Sequence, residues 1–175
     1  DINKLKNVLE YEFVKKIKPV YRYKKNKNIS YENKGNAVKK NSNNRELDYG
    51  NSQTQIEQIN AHIGHQRGFF GQNVRILFLD TGYFLEHAAF DSLNVIAEYD
   101  FINNDSITYN EVNQDNSQQI NHGTAMLSII AGYLPGSLIG PAYKSEYLLA
   151  KTEDVSSESQ VEEDNYVAAL EWGEA

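Results

Sequence analysis

The chain has 175 residues, 40% of them hydrophobic, with no cysteine and a net charge of −7. That length and apolar content allow one domain with a sizeable core, while the absence of cysteine excludes disulfides, thiol catalysis and Cys-ligated zinc. Charge is unevenly spread: residues 1–48 hold 13 Lys and Arg against 6 Asp and Glu, leaving 4 against 18 in residues 49–175.

Residues 1–22 open with a short helical pattern (Leu5, Val8, Leu9) followed by apolar positions Tyr11, Phe13, Ile17 and Val20, whose spacing suits a strand or a helix end. They form a small N-terminal extension. Residues 23–48 are dominated by Lys and Asn and are too poor in apolar residues to offset the entropy of ordering. A basic arm can bind nucleic acid, but no stacking aromatic platform or zinc pattern accompanies these lysines, so we read the stretch as an exposed, protease-accessible linker.

From residue 49 the pattern changes to an ordered domain. Ile56, Ile59 and Ile63 recur at helical intervals, predicting a helix that ends by Gly68 and Gly71. Val74–Leu79 is apolar on both faces apart from Arg75, as in a parallel strand covered by helices on each side. Leu93–Phe101 and Ser145–Thr152 predict two further strands.

Between those strands lie a polar loop, Asn103–Gln119, and an apolar helix over "GTAMLSIIAGY" that the run of Met126, Leu127, Ile129 and Ile130 predicts to be buried. A last helix follows Ser159, which with Glu162 fits a capping box. Alternating strands and helices imply an α/β domain with a mostly parallel sheet, in which function gathers at the carboxyl ends of the strands. No run has the length of a membrane span and no signal sequence opens the chain; residue 1 is Asp and the only Met is Met126, so a processed chain or an excerpt is expected.

Asp80 stands where the first strand runs out, in "LDTGY". Three roles suit it: a turn cap, half of an aspartic-protease dyad, or the orienting acid of a catalytic triad. The dyad needs two carboxylates sharing a proton, whereas this chain has one Asp-Thr-Gly. His122, in "NHGTAMLSIIAG", falls at the start of the apolar helix. Taken alone it reads as a capping or core histidine. At a helix N-terminus the positive field favours the neutral, proton-accepting ring, and a carboxylate beside it would fix its tautomer.

With these motifs in place the chain resembles the subtilisin-like serine proteases. The resemblance runs through "GQNVRILFLDTGY", "NVIAEYDFINND", "NHGTAMLSIIAGY", "LIGPAYKSEYLLAKTED" and "EEDNYVAALEWG", in the family's order, over residues 49–175, and is nearest in look to secreted bacterial members. It implies a three-layer subtilisin-like fold, only partly covered by this chain, and a secreted or cell-surface serine endopeptidase. Asp80 would be the triad acid and His122 the general base, in the chain order Asp, His, Ser. The implied partners are a protein or peptide substrate and the remainder of the same catalytic domain, with neither nucleic acid nor membrane. Residues 1–22 would be the tail of a prodomain.

Departures from the family pattern matter as much. No Gly-Thr-Ser motif occurs, so the nucleophile would come from elsewhere and the 175 residues alone are expected to be inactive; the other reading is a pseudoprotease or binding module that keeps the fold. Ala125 replaces the histidine often found after His-Gly-Thr, and the Asp80-to-His122 loop is long. The chemistry requires no cofactor, although a structural calcium ion through Asp91, Asp100 and Asp105 is compatible with oxygen ligation. His62, His65 and His87 read as surface or packing residues, and the sequons at Asn28 and Asn104 arise easily in an Asn-rich chain.

Overall fold

The computed structural model describes residues 47–157 and 161–175. The N-terminal extension over 1–22, all but the last two residues of the linker over 23–48, and the Ser159 cap lie outside the described residues.

The described chain runs α1 (Gln53–Gln58), α2 (Ala61–Gln66), β1 (Arg75–Asp80), a 3-10 turn (Ala88–Phe90), β2 (Asn94–Asp100), α3 (Asn121–Ala131), β3 (Tyr133–Leu134), β4 (Leu138–Ile139), β5 (Glu146–Lys151) and α4 (Val161–Glu174). β1, β5 and β2 form a parallel sheet in that order, with β5 central, and β3 pairs antiparallel with β4. The protein is therefore α/β with a parallel three-stranded sheet, and the three predicted strands stand within a residue or two of their expected bounds. Among the described residues no helix is long and apolar enough to cross a membrane.

Side chains alternate across each strand, and the two faces of the sheet meet different helices. Ile76, Phe78, Val95, Tyr147 and Leu149 pack with Leu127, Ala131 and Ile130 of α3 and with Tyr83 and Phe90. On the opposite face Leu77 meets α4 so closely that a β-carbon on Gly173 would stand 2.6 Å from it. Trp172 of α4 also lies against the rings of Tyr99 and Phe101.

α3 is less buried than its apolar run predicts. Gly123, Leu127 and Ala131, four residues apart, form its buried stripe, whereas Ile129 is 56% exposed. A helix presents only one face to a single sheet layer, so continuous hydrophobicity does not mean burial all round here. Leu127, fully buried, contributes about 1.5–3 kcal/mol relative to an exposed position.

The expected single helix carrying Ile56, Ile59 and Ile63 is two helices. Asn60 between them adopts φ +60°, a left-handed conformation that Asn tolerates better than most residues, and it turns the second helix onto a new face. Ile56 is buried, Ile59 is 63% exposed, and His65 rather than Ile63 enters the interior.

His65 belongs to a second core of Tyr49, Ile56, Ile139 and Tyr143. Its Nε2 lies 3.0 Å from the Pro141 carbonyl, an acceptor, so Nε2 carries the hydrogen; Nδ1 then accepts from the Tyr49 hydroxyl at 2.8 Å. The β3–β4 hairpin, unread from the sequence, turns through Pro135 and Gly136, the latter at φ +83°.

Candidate active site

The carboxyl ends of the three parallel strands bring Asp80, Lys151 and Asp100 side by side: Lys151 is in register with Asp80 of β1 and with Asp100 of β2.

Asp80 is 5% exposed. Its Oδ1 accepts the Thr81 backbone N–H at 2.7 Å and lies 2.8 Å from His122 Nδ1. A carboxylate only accepts, so Nδ1 carries the hydrogen and donates it, which leaves the lone pair on Nε2. The His122 side chain is 61% exposed. The pair thus consists of a buried acid and a solvent-facing ring whose tautomer the acid dictates, the arrangement that makes an imidazole a directed proton acceptor.

The motifs on either side make this approach sterically feasible. Gly82, at φ +120°, passes so close to Thr108 that a β-carbon would lie 2.5 Å from its carbonyl oxygen. Gly123 approaches Gly82 and Asp80 from the helix, and a β-carbon there would stand 2.3 Å from the Gly82 carbonyl oxygen. The two threonines knit the same junction. Thr81 Oγ1 accepts the Gly123 N–H at 3.1 Å; Thr124 Oγ1 accepts the Phe84 N–H at 2.9 Å and donates to the Ile120 carbonyl at 2.5 Å. In Asp-Thr-Gly and His-Gly-Thr, the glycines allow contact and the threonines secure it.

His122 is the second residue of α3 rather than the residue before it, and its electrostatics differ from expectation. The hydrogen bond to Asp80, followed by the charge of Asp80, raises its pKa above 6.5, with burial opposing and Glu153 adding slightly. A full carboxylate charge at contact distance outweighs the partial charge of a helix terminus, so the neutral-favouring effect expected of the helix does not prevail.

Beside this pair lies a buried ionic cluster. The Lys151 ammonium, wholly inaccessible, sits 2.6 Å from Asp100 Oδ2 and 2.7 Å from Asp115 Oδ1. These hydrogen bonds and charges raise its pKa despite burial, the largest single influence, which pulls the other way. Asp100 also accepts the N–H groups of Ile102 at 2.7 Å and Asn103 at 3.0 Å. The long polar loop is thereby pinned to the end of the sheet.

The acids that converge are Asp100, Glu111 and Asp115, with carboxylate oxygens within 4.8 Å of one another. Asp105 joins by a backbone bridge to Asp100 and accepts from the Ile107 N–H at 2.7 Å, whereas Asp91 ends the 3-10 turn. The oxygen donors suit calcium in kind, but the Lys151 ammonium already bridges Asp100 and Asp115, so the cluster as folded does not fit a divalent ion. Burial and the neighbouring Asp105 hold the Glu111 carboxyl above its ordinary pKa.

Two contributors escaped sequence analysis. Lys151 left a trace, as the one cation inside "EYLLAK", where a charge in a central strand demands buried partners. Gln119, 1% exposed, left none. His87 caps the 3-10 turn, its Nδ1 accepting from the Ala89 N–H at 3.2 Å.

No protein-family model matches this chain, and no curated protein matches it. Among solved structures it is similar to the crystal structure of an Aeromonas sobria serine protease in complex with a chaperone, at 22% identity and a TM-score of 0.49, over 63% of this chain and 18% of that one. The chain spans less than a fifth of the length of that solved chain.

Proposed function

We propose that Asp80 and His122 are two members of an Asp-His-Ser triad in a subtilisin-like, secreted serine endopeptidase, with the serine supplied by polypeptide outside these 175 residues. The observation that carries this reading is the 2.8 Å contact between His122 Nδ1 and the buried Asp80 carboxylate at the carboxyl edge of a parallel sheet. It supports a mechanism in which Nε2 of His122 takes the proton of an incoming hydroxyl as that oxygen attacks a peptide carbonyl. Asp80 stabilises the imidazolium so formed, and the ring then protonates the departing amine. Water, activated the same way, releases the acyl group. Side chains alone perform this chemistry, so no cofactor is required.

The test is labelling of the longer polypeptide with an active-site serine probe. Labelling that disappears in His122→Ala supports the role; labelling unchanged by that substitution overturns it. The 175-residue chain alone is expected to show no peptidase activity, because nucleophile and base act as a unit.

A further inference from the structure

We propose that Gln119 is a positioning residue for the Asp80–His122 pair, its buried amide tying the turn beside Asp80 to the chain that leaves β5. The meaning of this for catalysis rests on the function proposed above, but the geometry is independent of it. Gln119 Nε2 donates to the Thr81 carbonyl at 2.9 Å and to the Glu153 carbonyl, while Oε1 accepts the Val155 N–H at 3.0 Å. Both amide hydrogens and the carbonyl oxygen are used, and the side chain is inaccessible to water that might replace them.

The choice of partner gives these bonds their consequence. Thr81 already gives its N–H to Asp80 Oδ1 and receives the Gly123 N–H on its hydroxyl. Gln119 secures the one remaining polar group of that residue, its carbonyl oxygen. Thr81 thus holds the acid with one group, the histidine's helix with another, and Gln119 with the third. Gln119 itself lies three residues before His122, and Ile120 between them is locked by the Thr124 N–H and hydroxyl, both donating to its carbonyl. A shift of the Asp80 turn relative to α3 must break at least one of these bonds. An amide serves here where a carboxylate could not, since two of the partners are acceptors and one is a donor.

A side chain that merely filled space would affect stability and leave the acid–base pair untouched, so the test reads the pair directly. In the 175-residue chain, NMR titration of His122 is followed in Gln119→Met, which keeps the volume without the polar atoms, and in Gln119→Asn, whose amide is one methylene too short to bridge both segments. Leu127→Ala is the control, a core substitution on the same helix that removes no bond at the junction.

The expected result is that both Gln119 variants move the His122 titration midpoint down towards 6.5, the ordinary value, while Leu127→Ala lowers the melting temperature and leaves the midpoint in place. Wild-type titration in the Gln119 variants overturns the proposal, as does an equal shift in the control. Failure of both Gln119 variants to fold assigns the residue to the fold alone and also overturns it. None of these readouts needs a serine nucleophile, so an unlabelled longer polypeptide would remove the proposed peptidase function without touching this result.

Discussion

The carbonyl oxygen of Gly82 stands 2.3 Å from the place a β-carbon on Gly123 would occupy. This approach of a strand turn and a helix start brings the Asp80 carboxylate and the His122 ring together, and it tolerates no side chain on the helix residue. The same hypothetical atom would lie 3.1 Å from Asp80 Oδ1, so a methyl there presses on the acid as well.

Gly123→Ala is therefore expected to destabilise the chain by about 1–3 kcal/mol, the usual cost of overpacking a close contact. It should also weaken the Asp80–His122 bond. Urea denaturation gives the first effect and the His122 ring resonances the second; a variant as stable as the wild type would show that the junction can open freely.

Asp80→Asn keeps the shape of the acid and removes its charge. Because the Asp80 hydrogen bond and charge are the leading causes of the raised His122 pKa, the titration of His122 should fall in this variant. On the proposed function, the peptidase activity of a longer polypeptide that supplies the serine should drop by about 10⁴-fold, since an amide no longer selects the tautomer that leaves Nε2 basic. NMR titration and a peptide-cleavage assay measure the two effects.

The same pair predicts the sign of a pH dependence. A histidine whose folded pKa lies above its unfolded value binds its proton more tightly when folded. The resulting stabilisation is fully present below pH 6.5 and is lost as pH rises through the folded pKa. Urea midpoints followed from about pH 6 to about pH 9 should decline with a component that Asp80→Asn abolishes.

Lys151→Met leaves Asp100 and Asp115 facing each other without their cation. Breaking a buried ion pair in this way typically costs about 3–5 kcal/mol, a large share of the stability of an ordinary domain. Acid should narrow the gap between variant and wild type, because protonation removes the unpaired charges. Denaturation at neutral and mildly acidic pH checks this; an equal gap at both would mean that the ammonium is not compensating those carboxylates.

The sequence by itself determined the features that depend on short-range pattern. Apolar runs marked all three parallel strands, Asp80 stood out where the first of them runs out, and His122 stood out at the start of an apolar helix. The His65 interior position, the break at Asn60 and the β3–β4 hairpin were not legible, because each is decided by what the segment packs against rather than by its own composition.

Tertiary structure alone decided what connects residues far apart in the chain. Asp80 and His122 meet across 42 positions, Lys151 and Asp115 across 36, and Gln119 and Thr81 across 38. Such pairs carry no periodicity and share no local motif; they exist because parallel strands need long crossovers, which deliver distant segments to one edge of the sheet. Local pattern singled out Asp80 and His122, and the order of strands, with β5 between β1 and β2, placed Lys151 at the strand ends between Asp80 and Asp100.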